Sequence, residues 1–142
     1  MLFRSHAWMA RGYVLLGRDQ PNLAIAAFES AIRLSPLDWL GRAFTNGVAS
    51  AHLSAGRYEE ALEWANRTLR EEPGYRQALR SKVVACAHLD RIEEAREALR
   101  QWIESQPGLT VARFRASWTR VFSPNAMAIH VDGLRKAGLP EQ

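Results

Sequence analysis

The sequence is poor in the residues that carry chemistry. Cysteine occurs once, at Cys86, which rules out an internal disulfide and any cysteine-based metal cluster. Its setting, Val83-Val84-Ala85-Cys86-Ala87, is that of a small buried hydrophobe and not of a nucleophile. His6 and His130 stand alone. His52 and His88 fall on neighbouring helices at similar heights, but no third ligand stands at metal-binding spacing, so they read as partly buried polar side chains. There is no Gly-x-Ser-x-Gly turn and no glycine-rich phosphate loop. No apolar run approaches the roughly 18 residues of a membrane span. The start Met1-Leu2-Phe3-Arg4 lacks the apolar stretch and cleavage site of a signal peptide. These absences point away from an enzyme, a metal, a cofactor and a membrane, and toward a cytoplasmic location.

Lysine is scarce as well: 17 of the 19 basic residues are arginine, the bias of a GC-rich bacterial genome. The net charge of +4 and the pI near 9.8 would suit nucleic acid. The arginines are, however, interleaved with glutamates, as in Arg91-Ile92-Glu93-Glu94-Ala95-Arg96-Glu97, which describes a solvated helix face. Nucleic acid is therefore not the expected partner. The pairs Glu59-Glu60 and Glu93-Glu94 recur at a helix start in two segments, where they complement the helix dipole and need no catalytic role.

What the chain does have is a period. Its 142 residues, 47% of them apolar, suit one domain with a core. Pro36, Pro73 and Pro107 each close a helical segment; 37 residues separate the first two and 34 the last two. A constant step of this size marks a helical solenoid. Helix pairs are expected over 4–17 with 21–34, 39–55 with 58–71, and 75–89 with 92–105. Their turns are Arg18-Asp19-Gln20-Pro21, Ala55-Gly56-Arg57 and Leu89-Asp90-Arg91. Pro21 suits a helix start. Thr110 caps a further helix to about Phe122, and Ser123-Pro124 opens a last one that Gly138 ends.

Trp8, Gly12, Ala24, Phe28, Ala31 and Pro36 fall on signature positions of the tetratricopeptide repeat, a helix–turn–helix unit of about 34 residues, and the chain resembles that family. Ala61 and Pro73 match in the second segment, which carries three extra residues before or at the start of its first helix. Leu79, Ala95, Leu99 and Pro107 match in the third. Small residues are expected where paired helices touch: Gly12 against Ala24, Ala49 against Ala61, Val83 against Ala95. The resemblance implies an all-α, right-handed α-solenoid in a single domain over 1–142. Its units span about 5–38, 39–75 and 76–109, followed by a divergent capping pair over 110–138. The stripe Met127, Val131, Leu134 is expected to bury against the helix of Phe114 and Trp118 and the outer edge of the third unit. No capping helix precedes the first unit, which leaves open that the chain is the tail of a longer protein or that its first helix meets a partner.

Two further stretches narrow the likeness. Ala51-His52-Leu53-Ser54-Ala55-Gly56-Arg57-Tyr58 and the closing Gly138-Leu139-Pro140 are similar to the repeat array behind class III adenylate/guanylate cyclase domains, and behind some winged-helix regulators, in proteobacteria. No cyclase or DNA-binding domain is present. In the repeat fold the first helices line a concave groove. Chaperone-binding members clamp a C-terminal carboxylate there with lysine, asparagine and arginine. At those places this chain has Met9, Tyr13, Gly47, Gln77 and Ser81, so the clamp pattern is absent, and only Asn46 and Arg80 stand beside it. By repeat phase the partner-binding groove is formed by Met9, Tyr13, Asn46, Ser50, Gln77, Arg80, Phe114 and Trp118. Phe114 and Trp118 have the alternative of burying against the last helix. The expected function is a non-catalytic protein–protein interaction scaffold, holding a peptide or an amphipathic helix as a regulatory tail in signalling. The alternatives are a homo-oligomerisation module and part of an enzyme whose catalytic domain lies elsewhere.

Overall fold

The computed structural model describes residues 2–142, and among these it forms eight helices and no strand. They are α1 (Leu2–Gly17), α2 (Pro21–Leu34), α3 (Gly41–Ser54), α4 (Tyr58–Glu71), α5 (Arg76–His88), α6 (Ile92–Ser105), α7 (Val111–Trp118) and α8 (Pro124–Lys136). Each of the first five packs on the next, and α3 also meets α1 and α5, which is the connectivity of a solenoid.

The turns inside the pairs share one mechanism. Asp19, Gly56 and Asp90 have φ of 56°, 75° and 60°, the left-handed conformation that ends a helix. In each turn the following N–H reaches back to the same relative carbonyl: Gln20 to Leu15, Arg57 to His52, and Arg91 to Cys86, at 2.9, 2.9 and 2.8 Å. The extra residues of the second segment sit largely in the link from α2 to α3, where the Leu40 N–H bonds the Asp38 carboxylate at 2.8 Å and Leu37 and Trp39 project outward.

Close approach is set by two glycines and one ring. Phe28 of α2 is fully buried. A Cβ at Gly12 of α1 would stand 2.7 Å from its ring, and one at Gly47 of α3 would stand 2.5 Å away. Gly12 thus faces Phe28 most closely, one helical turn beyond the expected Ala24. The same ring fills the space between two first helices, so a single side chain joins the first pair to the second.

The last pair departs from the stack. α7 stops at Trp118 and not at Phe122. The N–H groups of Val121 and Phe122 both turn onto the Trp118 carbonyl, at 2.9 and 3.0 Å, and Pro124 holds Ser123 extended, with φ −61° and ψ 159°. Thr110 and Ser123 cap their helices as expected, each accepting an N–H at 3.1 Å. α8 does not lie on the outer edge of the third pair. It packs across the inner face of α5 and reaches α3. Gly133 permits this, because a Cβ there would stand 3.0 Å from the Val84 Cα. Val131 and Leu134 are buried, while Met127 is half-buried against the same core. The tail then returns to α7, whose Val111 and Ala112 N–H groups donate to the Pro140 and Glu141 carbonyls at 2.9 and 3.0 Å.

Candidate functional site

Because α8 crosses the inner face, the concave side is partly filled by the chain itself. What stays open is a cavity of about 220 Å³ bounded by α1, α3, α5 and the turn between α7 and α8. The turn closes it by meeting the other end of the solenoid. Asn125 donates to the Asp19 carboxylate and to the Ser54 carbonyl, both at 3.3 Å, and Ser123 Oγ lies 3.5 Å from the same carboxylate. The first pair and the last pair are thereby joined directly.

Tyr13, Asn46, Ser50, Gln77, Arg80 and Trp118 converge on this cavity. Tyr13 donates its hydroxyl to the Ala43 carbonyl at 2.9 Å, and its ring meets Phe28 edge-on at 4.9 Å. Burial pushes its pKa up to about 12, with Tyr75 nearby adding to the effect and Arg80 opposing it. Asn46 is buried and accepts from Ser81 Oγ at 3.0 Å. Ser50 Oγ is buried without a hydrogen-bond partner.

Arg80 is the unusual member. It is only 4% exposed, its Nε has no acceptor, and it forms no ion pair among the described residues. Its guanidinium lies 4.7 Å from the Trp118 ring centroid and 5.2 Å from that of Phe122. Cation–π attraction of this kind is worth about 2 kcal/mol when desolvated, a fraction of what burying a guanidinium costs. Burial pulls its pKa down to about 10, and the Tyr13 and Tyr75 phenols pull it back up, so it stays charged at neutral pH.

Two of the eight expected groove residues do not line this cavity. Met9 packs with the core of the first pair. Phe114 is buried among Trp102, Phe122 and His130, at ring separations of 6.2, 6.2 and 5.9 Å, and belongs to the interior of the terminal pair. His52 and His88 do not come together. His52 accepts from Arg57 at 2.9 Å, while His88 stacks on Tyr58 and bonds the Ile129 carbonyl at 2.8 Å.

Sequence reasoning missed Phe122, Tyr75 and His130. Phe122 had a signal: it follows Phe114 and Trp118 at steps of four, one stripe if the helix continues. His130 had none. It is buried between Phe114 and Phe122 with Nε2 unpartnered, and desolvation, with Arg80 adding, drives its pKa down to about 3.

Burial pushes the Cys86 thiol up to about 11, away from the reactive thiolate. Among the described residues no three His, Cys, Asp or Glu side chains gather as metal ligands, and no helix is long and apolar enough to cross a membrane.

The sequence profile of the tetratricopeptide repeat matches residues 9–76 and, overlapping them, 49–110. No match is found among curated proteins. Among solved structures the fold is similar to the crystal structure of the Sgt2 TPR domain from Aspergillus fumigatus. The TM-score is 0.68 at 20% identity, over 93% of this chain and 78% of that one. At that identity the likeness speaks for the fold alone. The profile covers well over half of the residues, in register with the paired helices and their left-handed turns, and the chain belongs to the tetratricopeptide repeat family, whose fold is in general a protein–protein interaction module.

Proposed function

We propose that this protein is a non-catalytic interaction scaffold that holds a peptide or short helix of a partner protein in the open part of its concave side, at Tyr13, Asn46, Ser50, Gln77, Arg80 and Trp118. One observation carries the reading: four elements from both ends of the chain converge on a cavity whose buried polar atoms, Ser50 Oγ and Arg80 Nε, lack partners. Buried polar groups are nearly always satisfied, so two orphans on residues that line one cavity favour a ligand that completes them. The likeness to cyclase-associated arrays supports a regulatory role inside a larger cytoplasmic signalling protein.

The test is a selection of peptides from a random library on the folded chain, with amide-shift mapping of the binders. Shifts are expected to cluster at the six residues. Gln77→Ala should weaken the selected peptides several-fold, and Arg96→Glu on the outward helix α6 should leave them unchanged. Binders that map to α2, α4 and α6 would contradict the reading.

A second reading, self-association, is favoured by one feature. Phe3 and Val14 of α1 and Leu23 of α2 are 89, 52 and 57% exposed. Such surface commonly marks an interface. Light scattering across a concentration series decides it: growth in mass with concentration supports a homo-oligomer, and a constant monomer mass excludes it.

A further inference from the structure

We propose that the cleft where α5, the 106–110 link and α7 meet binds an acidic side chain of the peptide held in the groove. The inference rests on the scaffold reading and names the chemistry of its ligand. The cleft has a volume of about 310 Å³ and adjoins the groove cavity, with Gln77, Arg80 and Trp118 lining both.

Its charge is of one sign. Arg76 and Arg80 face it from α5 and Arg113 from α7, and no aspartate or glutamate lines it. Five arginines elsewhere pair with a glutamate: Arg42 with Glu72, Arg91 with Glu59, Arg96 with Glu93, Arg100 with Glu97, Arg135 with Glu141. The three cleft arginines have no such partner among the described residues. Arg76 donates to the backbone carbonyl and hydroxyl of Ser105, and Arg113 to the Gly108 carbonyl at 3.1 Å. These acceptors are neutral and leave the charge uncompensated.

Arg80 supplies the directional element. Trp118 and Phe122 cover the guanidinium, while its Nε finds no acceptor. A planar guanidinium whose donors are not all spent is the group that receives a carboxylate through two parallel bonds. Gln106, which also lines the cleft, takes the Trp102 indole N–H on its oxygen at 3.0 Å, a bond that leaves its amide nitrogen unused. The enclosure fits one side chain. A nucleic acid would need a track of unpaired cations along the solenoid, and the arginine–glutamate pairs of α6 do not offer one.

The experiment uses fluorescence anisotropy of labelled, C-terminally amidated hexaglutamate and hexaglutamine with the full chain at low salt. The amide removes the terminal carboxylate, so side-chain acids alone are read. Hexaglutamate should bind about tenfold or more tighter than hexaglutamine. Arg113→Gln, at an exposed position that leaves the fold intact, should cost about threefold or more, Arg80→Met about tenfold, and Arg96→Gln nothing. Equal loss from Arg113→Gln and Arg96→Gln would reduce the effect to general electrostatics and overturn the proposal. So would a lack of preference for glutamate, or tighter binding of a labelled thymidine oligonucleotide through the same arginines. Library peptides that bind the groove but ignore Arg113→Gln would overturn this inference and leave the scaffold reading standing. Hexaglutamate binding that follows the arginines, with no library peptide in the groove, would support the cleft and sink the wider reading.

Discussion

The first three helix pairs and the last one end their helices alike and pack differently. Gly138 has φ 97°, and the Leu139 N–H reaches back to the Leu134 carbonyl at 3.0 Å, the same cap that closes α1, α3 and α5. Glycine also admits a close neighbour in both regions. In the stack, Gly12 and Gly47 make room for Phe28 between consecutive first helices. In the terminal pair, Gly133 brings α8 onto the backbone of α5, inside the curve. The local rules are shared, and the placement is decided by where the apolar stripe finds cover. For the stack that is the next pair; for α8 it is the concave face.

Removing the terminal helix breaks the comparison most severely. Deleting residues 123–142 removes the buried Val131, Leu134 and Leu139 and with them roughly 1.5–3 kcal/mol for each large side chain. It also uncovers Val84 and frees the first N–H groups of α7. The truncated chain should melt well below the full one and scatter light as an aggregate. An unchanged melt would mean that α8 does not belong to the core.

Within the stack the test is Phe28. Phe28→Ala should cost about 3–5 kcal/mol in thermal or urea unfolding. Gly47→Ala alone should cost about 1–3 kcal/mol through overpacking, and much less in the Phe28→Ala background, because the ring it would strike is gone. Additive losses would show that the ring does not lie between the two glycines.

These two regions were unequally legible in the sequence. Helix positions in the stack agree with expectation within two residues, because proline spacing, left-handed Asp and Gly turns, and small residues at fixed intervals repeat and reinforce one another. The terminal pair occurs once, so no repetition locates it. Its caps, Thr110 and Ser123, were readable from local chemistry alone. Its packing on α5 depends on Gly133 meeting Val84 across 49 positions, and nothing in either local pattern announces that pairing. The groove shows the same division. Tyr13, Asn46, Gln77 and Arg80 follow from the phase of the first helices. Phe122 reaches the site through the early end of α7 and the turn after it, and His130 of α8 packs behind its ring.

A pH series separates the regions by a smaller effect. His130 is held neutral in the folded state, with its pKa lowered from 6.5 to about 3 by burial first and by Arg80 next. Above pH 6.5 both folded and unfolded chains carry a neutral imidazole, and its contribution is full. Between 6.5 and 3 the unfolded chain takes up a proton that the folded one refuses. Stability should fall there by up to about 1.4 kcal/mol per pH unit. His130→Leu should flatten the part of that slope near pH 6, where carboxylates do not yet titrate. An identical profile for the two proteins would place His130 in water. Smaller still is Ser123→Ala, expected to cost about 1 kcal/mol by losing the cap on Ala126.

The central claim is that α8 lies inside the concave face and leaves a cation-lined opening beside it. Nuclear Overhauser contacts in the full chain test this most directly. The account predicts cross-peaks from the Gly133 α-protons to the Val84 methyl groups, and from the His88 ring to Ile129, in a protein whose amide shifts are fully helical over α8. Cross-peaks from α8 to α6, with none to Val84 or His88, would place the last helix on the outer edge and contradict it.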